Sequence, residues 1–190
     1  MPPKAKITKE MVLEAAFGIA RQNGADCINA RTVSKALGCS TQPVMYYFSS
    51  IEELKCAVYT KADDYHTNYL LNISAPQKDV LLEIGLNYIR FAVHEPNLFK
   101  FLFQSGYAKE NSLLEMMDSE AIKPVIAAMQ EAINIDLEST KEVFITLAMF
   151  VHGYASIIAN NSMECDEQLI SKHLERVYRG ALSALKEDIK

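Results

Sequence analysis

The sequence predicts an all-α protein of about nine helices, with a small N-terminal three-helix domain ahead of a larger helical body. Three observations lead there. Only 7 glycines and 6 prolines punctuate 190 residues, so long stretches hold no helix breaker. Leu, Ala, Ile, Glu and Lys are plentiful, and most of these favour helix. Apolar residues recur at the three-to-four-residue spacing of a helix that buries one face. A hydrophobic fraction of 49% against 23% charged residues suits a packed core, not a disordered chain.

The first helix opens near Thr8, a capping residue, with Glu10 in the first turn where the helix dipole favours an acid. Val12, Ala15, Ala16, Ile19 and Ala20 share its inward face. Asn23-Gly24 ends it, since glycine takes left-handed conformations without a Cβ penalty. Asn29 caps a second, short helix with Val33, Ala36 and Leu37 inward, and Gly38 closes it. Ser40 is placed to cap a third helix reaching about Tyr47. Pro43 falls in its first turn, where a missing N–H loses no helical bond. Residues 29–48 thus form two short helices joined at a glycine, the second opening with small polar residues and closing with aromatics. That is the layout of a helix-turn-helix DNA reader.

Ser50-Ile51-Glu52-Glu53 is a capping-box pattern that starts a long helix over about 50–72. It links a head of residues 1–50 to a body of residues 51–190. Ser74-Ala75-Pro76 is the next break. Residues 77–94 are strongly periodic, with Val80, Leu81, Ile84, Tyr88, Phe91 and Ala92 on one face. Glu95-Pro96-Asn97 interrupts, because the residue before proline avoids helix. Residues 98–105 form a short apolar helix ended by Gly106. Residues 112–134 are helical in pattern, with a kink or a new start at Pro124. Residues 138–160 are apolar on most sides, which implies burial on two fronts, and a last helix runs from 166 to about 187.

Composition narrows the function classes. No apolar run reaches the ~18–20 residues of a membrane span, and the basic start Met1–Lys6 lacks the apolar stretch of a secretory signal. A cytoplasmic protein is expected, without a membrane partner. The four cysteines, at 27, 39, 56 and 165, form no Cys-x-x-Cys pair and read as buried reduced thiols. The net charge is −5, unevenly distributed. Residues 1–50 hold six basic and three acidic side chains, and residues 51–190 hold 13 basic and 21 acidic. A basic head on an acidic body meets phosphates at one end. No nucleophile–base pair, metal cluster or Gly-rich phosphate loop points to an enzyme or a cofactor. Asp63-Asp64-x-His66 reads as an exposed helix face, not a metal site.

The head resembles the N-terminal domain of the tetracycline-repressor (TetR) family of bacterial regulators. The likeness rests on Ala15-Ala16, Gly24, Leu37-Gly38 followed by Ser40, Tyr47-Phe48, and Glu52-Glu53-Leu54. It covers roughly residues 8–58. Glu95-Pro96-Asn97-Leu98-Phe99 and Phe150-Val151-His152-Gly153 look like patterns from the family's C-terminal domains, which bind ligands and dimerise. Two positions depart: Met45 stands where the family usually has a phosphate-contacting Tyr, and Ile51 where a Lys usually precedes the acidic pair.

The resemblance and the residues together imply a DNA-binding role for Lys6, Arg31, Thr32, Lys35, Ser40, Thr41, Gln42, Pro43, Met45, Tyr46 and Tyr47. Thr41 and Gln42 lead the recognition helix, where Gln can pair with adenine and Thr can touch a thymine methyl. Pro43 and Met45 add apolar contact. Thr32, Ser40 and the hydroxyl of Tyr46 or Tyr47 are phosphate donors, and Lys6, Arg31 and Lys35 add salt-sensitive attraction. A homodimer through helices 138–160 and 166–187 would pair two heads across a palindromic operator. In the body, Tyr88, Phe91, Phe99, Phe103, Met116, Met117, Met129, Phe144, Met149 and His152 suit an adaptable apolar pocket. A small apolar or amphipathic effector bound there would release a repressor from DNA. The alternative is an interaction protein that keeps the fold with weak or lost sequence-specific DNA binding.

Overall fold

The computed structural model describes residues 7–73, 80–108, 112–161 and 163–188. Among them lie ten α-helices, one 3₁₀ turn (Ala25–Cys27) and no strand. In chain order the helices are α1 (Lys9–Asn23), α2 (Ala30–Leu37), α3 (Gln42–Tyr47), α4 (Ile51–Leu70), α5 (Val80–His94), α6 (Pro96–Gln104), α7 (Leu113–Met117), α8 (Lys123–Ile133), α9 (Leu137–Asn161) and α10 (Glu167–Asp188).

Most ends fall where side-chain chemistry puts them. Thr8 Oγ1 accepts from Met11 N at 3.2 Å and starts α1. Gly24 stops it at φ 89°, ψ 156°, a positive φ outside the left-handed helical well. At α4 the expected box is displaced by one residue. Ser50 Oγ accepts from Glu53 N at 3.0 Å, but the Glu53 carboxylate reaches back to Ser49 N (2.7 Å) and Ser49 Oγ (2.6 Å). α4 ends at Leu70, short of residue 72, and the break at 74–76 lies outside the described residues, as do 77–79. Pro124 opens a new helix instead of kinking one, sitting in the first turn of α8.

The described residues form two compact units, Met1–Asp64 with Asn97–Ala108, and Tyr65–Pro96 with Lys109–Lys190. This division differs from a cut at residue 50: the first unit runs on to Asp64, through most of α4, and takes in α6 and its tail. Leu98, Phe99, Phe101 and Leu102 are buried. The Tyr59 hydroxyl donates to Leu102 O at 3.2 Å, Tyr107 donates to Glu52 Oε2 at 2.6 Å, and the Asn97 amide donates to Arg21 O at 3.0 Å. The core of this unit also takes Val12, Ala16, Ala20, Ile28, Val33, Val44, Phe48, Leu54, Val58 and Ala62. Ser34 is buried where Ala36 was expected, and Ala36 is exposed. On so short a helix the buried arc is narrow, and Ser34 can enter it because its hydroxyl donates to Arg31 O.

In the second unit α9 packs on α5, α8 and α10. Arg90 of α5 bridges Glu83 (2.7 Å) and Glu167 of α10 (2.8 Å). Gly85 permits the close approach of α5 and α10: a Cβ there would lie 2.5 Å from Leu174 Cδ2 and 3.4 Å from Val151 Cγ1. Leu174 is 1% exposed and has little room to give. Gly85→Ala is therefore expected to destabilise the protein by about 1–3 kcal/mol, measured by urea unfolding. An unchanged or raised midpoint would show that the contact is loose.

Three other expectations need correction. Cys27 and Cys56 are exposed, and Cys39 and Cys165 half-buried, since they occupy a turn, an outer helix face and two loop positions. His66 is buried on the inner side of α4. Finally, α9 alone among the described residues is long and apolar enough to cross a membrane. Its Val143, Phe144, Leu147, Val151, Ala155 and Ile158 are instead buried within the bundle.

Candidate nucleic-acid interface

The site is built by α2 and α3. Asn29 Oδ1 accepts from Arg31 N and Thr32 N, both at 3.0 Å. Thr32 Oγ1 returns the bond by accepting from Asn29 N at 3.1 Å, and its own proton goes to Cys27 O at 2.7 Å. This reciprocal cap fixes where α2 begins. At its other end Gly38 sits at φ 63°, ψ 33°, the left-handed conformation. Its N–H donates to Lys35 O, and Cys39 N donates to Ser34 O at 3.0 Å. The turn thereby closes tightly, and the chain re-enters helix at Gln42.

The cap position of α3 is Thr41, one residue beyond the Ser40 expected, and Thr41 makes no side-chain cap bond. Pro43 in the first turn starts the helix without one, since its φ is already helical. Val44 and Phe48, one turn apart, are 0% and 1% exposed and anchor α3 to the unit's core. The opposite side faces outward: Ser40, Thr41 and Gln42 are exposed, Met45 is 43% exposed and Tyr46 80%, with Pro43 half-buried. Arg31 and Lys35 are exposed on α2.

The two tyrosines divide. The Tyr47 hydroxyl donates to Ile7 O at 2.9 Å, tying the chain ahead of α1 to the end of α3. Tyr46 stands against it edge-on at 5.0 Å between ring centroids and carries the exposed hydroxyl. Thr32 spends its hydroxyl on the α2 cap. Lys6 lies outside the described residues. Lys9, unassigned by sequence, holds its ammonium 5.0 Å above the Phe48 ring.

The ten residues grouped as a ligand pocket divide between the two units. Phe99 and Phe103 lie against each other in the first unit, with ring centroids 5.0 Å apart and planes tilted by 51°. In the second unit Phe91, Met117, Met129 and Phe144 are buried, Met116 is half-buried, and Met149 is 45% exposed. Tyr88 and His152 do meet. The Tyr88 hydroxyl lies 2.9 Å from His152 Nδ1, and His152 Nε2 lies 3.2 Å from Ser156 Oγ. His66 sets its ring edge-on to Phe91 (4.7 Å) and Tyr88 (5.4 Å). Burial raises the Tyr88 pKa, lowers that of His152, and pushes His66 down to about 3. This polar line is neutral at neutral pH.

The consequence for stability has a definite sign. In the unfolded chain a histidine titrates near 6.5, so between pH 6.5 and 3 the unfolded state takes up a proton that folded His66 refuses. Stability is full above pH 6.5 and falls with acid, by about 2 kcal/mol at pH 5. Thermal melts at pH 7 and 5 measure it, and His66→Phe should flatten the dependence. An equal slope in that variant would place the acid sensitivity elsewhere.

A cleft of about 250 Å³ does exist in the second unit, lined by Leu81, Leu82, Leu147, Leu174, Glu175, Tyr178 and Arg179 of α5, α9 and α10. None of the ten grouped residues lines it. In sequence its leucines look like any other core positions.

A family model, the tetracyclin repressor-like C-terminal domain, matches residues 81–184. The chain belongs to the TetR family. Solved structures of low identity share its fold. One is a protein of unknown function from Rhodococcus sp. RHA1 (13% identity, TM-score 0.71, covering 95% of this chain and 98% of that one). Another is a TetR transcriptional regulator from Legionella pneumophila (17%, 0.60, 92% and 98%). A third is the multidrug binding protein EbrR complexed with imidazole (14%, 0.53, 93% and 97%). Comparison with the curated proteins finds no significant match. As a TetR protein the chain is a regulator of transcription and not an enzyme. TetR regulators generally bind DNA, dimerise and bind small-molecule effectors.

Proposed function

We propose that this TetR protein is a cytoplasmic, ligand-responsive repressor that binds a palindromic operator as a homodimer and is released by a small apolar or amphipathic effector. The supporting observation is the outward face of α2 and α3: Ser40, Thr41, Gln42, Met45 and Tyr46 exposed around a helix held from behind by Val44 and Phe48. Small polar side chains on an exposed short helix are what a major groove admits. Arg31 and Lys35 on the preceding helix supply cations for the phosphates. In this reading Tyr46 is the phosphate donor from the aromatic pair and Tyr47 a structural tie. A mobility shift over a range of salt tests it with the full chain and duplex from upstream of its own gene. Binding that weakens as salt rises is expected; no shift at low salt overturns the proposal.

Dimerisation rests on apolar surface left outside the second unit. Met149 (45%) and Ile157 (52%) of α9 and Leu169 (47%) of α10 are exposed, and Gly153 and Gly180 are exposed beside them. A four-helix contact between two copies would cover this surface. Ile157→Glu is expected to yield a folded monomer by sedimentation; a dimer of unchanged affinity would remove α9 from the interface. For the effector, the α5–α9–α10 cleft and the Tyr88–His152 line are the places to probe by substitution. The likeness to EbrR, complexed with imidazole, supports the small-molecule response in this reading.

Met45 and Ile51, standing where a phosphate-contacting Tyr and Lys are usual, support a second reading, an interaction protein with weakened DNA binding. The same mobility shift separates the two.

A further inference from the structure

We infer that the recognition helix of each head reads an A·T-rich triplet in the major groove, without the bidentate guanine contact that an Arg or Lys makes. The inference rests on the DNA-binding reading above and specifies its substrate.

α3 has six residues. At 1.5 Å per residue it is about 9 Å long and spans about three base-pair steps of 3.4 Å. The exposed side chains that it and its cap present to bases are Thr41, Gln42 and Met45, with Ser40 and Tyr46 beside them for phosphates. None is Arg, Lys, His, Asp or Glu. Guanine presents two acceptors, O6 and N7, and is read most often by a bidentate Arg or Lys; cytosine N4 is read by a carboxylate. α3 has neither kind of side chain. Gln42 is complementary to adenine, donating to N7 and accepting from N6–H. The methyl of Thr41 and the thioether of Met45 are complementary to the thymine C5 methyl, which only A·T pairs present. The exposed cations nearest in sequence, Arg31 and Lys35, are on α2, the helix that crosses the backbone and meets phosphates.

The Gly38 turn and the inward anchors hold this face in place. With Val44 and Phe48 buried and the Tyr47 hydroxyl bonded to Ile7 O, α3 cannot rotate to exchange its outward set for another. The composition of the triplet is therefore fixed by Thr41, Gln42 and Met45, with the Ser40 and Tyr46 hydroxyls left to phosphates.

The test uses the full chain. Selection from a random duplex pool should enrich two A·T-rich triplets related by a two-fold axis. Within the selected site, 7-deazaadenine removes the N7 acceptor and deoxyuridine removes the thymine methyl. Each should weaken binding, the former by roughly 5- to 150-fold per head. 7-Deazaguanine within either triplet should have no effect. Gln42→Arg, an exposed substitution whose folding circular dichroism verifies, should bring guanine into the selected triplet. Binding that persists but is lost with 7-deazaguanine, or a selected triplet centred on G·C, overturns this inference and leaves DNA binding intact. Failure to bind any duplex overturns both.

Discussion

Replacing Phe48 with Ala is expected to cost about 3–5 kcal/mol and to abolish DNA binding. The ring is 1% exposed and closes the C-terminal end of α3, with Val44 one turn earlier and the Lys9 ammonium over its face. Removing it leaves a cavity under the one element that carries the reading face. The loss is to be measured by urea unfolding at neutral pH, with the DNA complex followed in parallel. A change below about 1 kcal/mol would mean that α3 is held by something other than its buried anchors.

Thr41→Ala combined with Gln42→Ala should behave in the opposite way. Both side chains are exposed and Thr41 makes no cap bond, so stability should stay within about 0.5 kcal/mol. Specific binding should collapse. A bidentate base contact is worth about 1–3 kcal/mol, and a dimer makes it twice, so operator affinity should drop between roughly 25-fold and 20,000-fold. Binding to unrelated duplex should not change. Arg31→Ala supplies the contrast: it should weaken binding to every duplex alike and reduce the salt slope by about 1 per head. If the double variant kept full preference for the operator, the bases would be read by other residues.

The parts of the molecule that the residues announce in advance are those governed by neighbours in sequence. Asn29 capping α2, Gly38 in the left-handed turn and Pro43 at the head of α3 are local decisions, and each falls where its chemistry places it. The displacement of the α3 cap from Ser40 to Thr41, and of the α4 box partner from Ser50 to Ser49, are single-residue shifts that depend on how the connecting turn is drawn onto the core. Tertiary placement is harder to read. Phe99 and Phe103 carry the same apolar signal as Phe91 and Phe144, yet α6 packs with the head, and no periodicity distinguishes the two destinations. Tyr46 and Tyr47 are equivalent as letters, and only the 2.9 Å bond to Ile7 O separates the structural tyrosine from the exposed one. The α5–α9–α10 cleft is legible only when three helices converge, because its leucines obey the core pattern of each.

The most direct test is fluorescence anisotropy of a labelled operator duplex titrated with the full chain at several salt concentrations, run beside the Thr41/Gln42 double alanine variant. The account predicts saturable binding whose logarithm falls linearly with log salt, and a variant that stays folded and loses only its preference for that sequence. No binding at low ionic strength, or a variant indistinguishable from the parent, would contradict it.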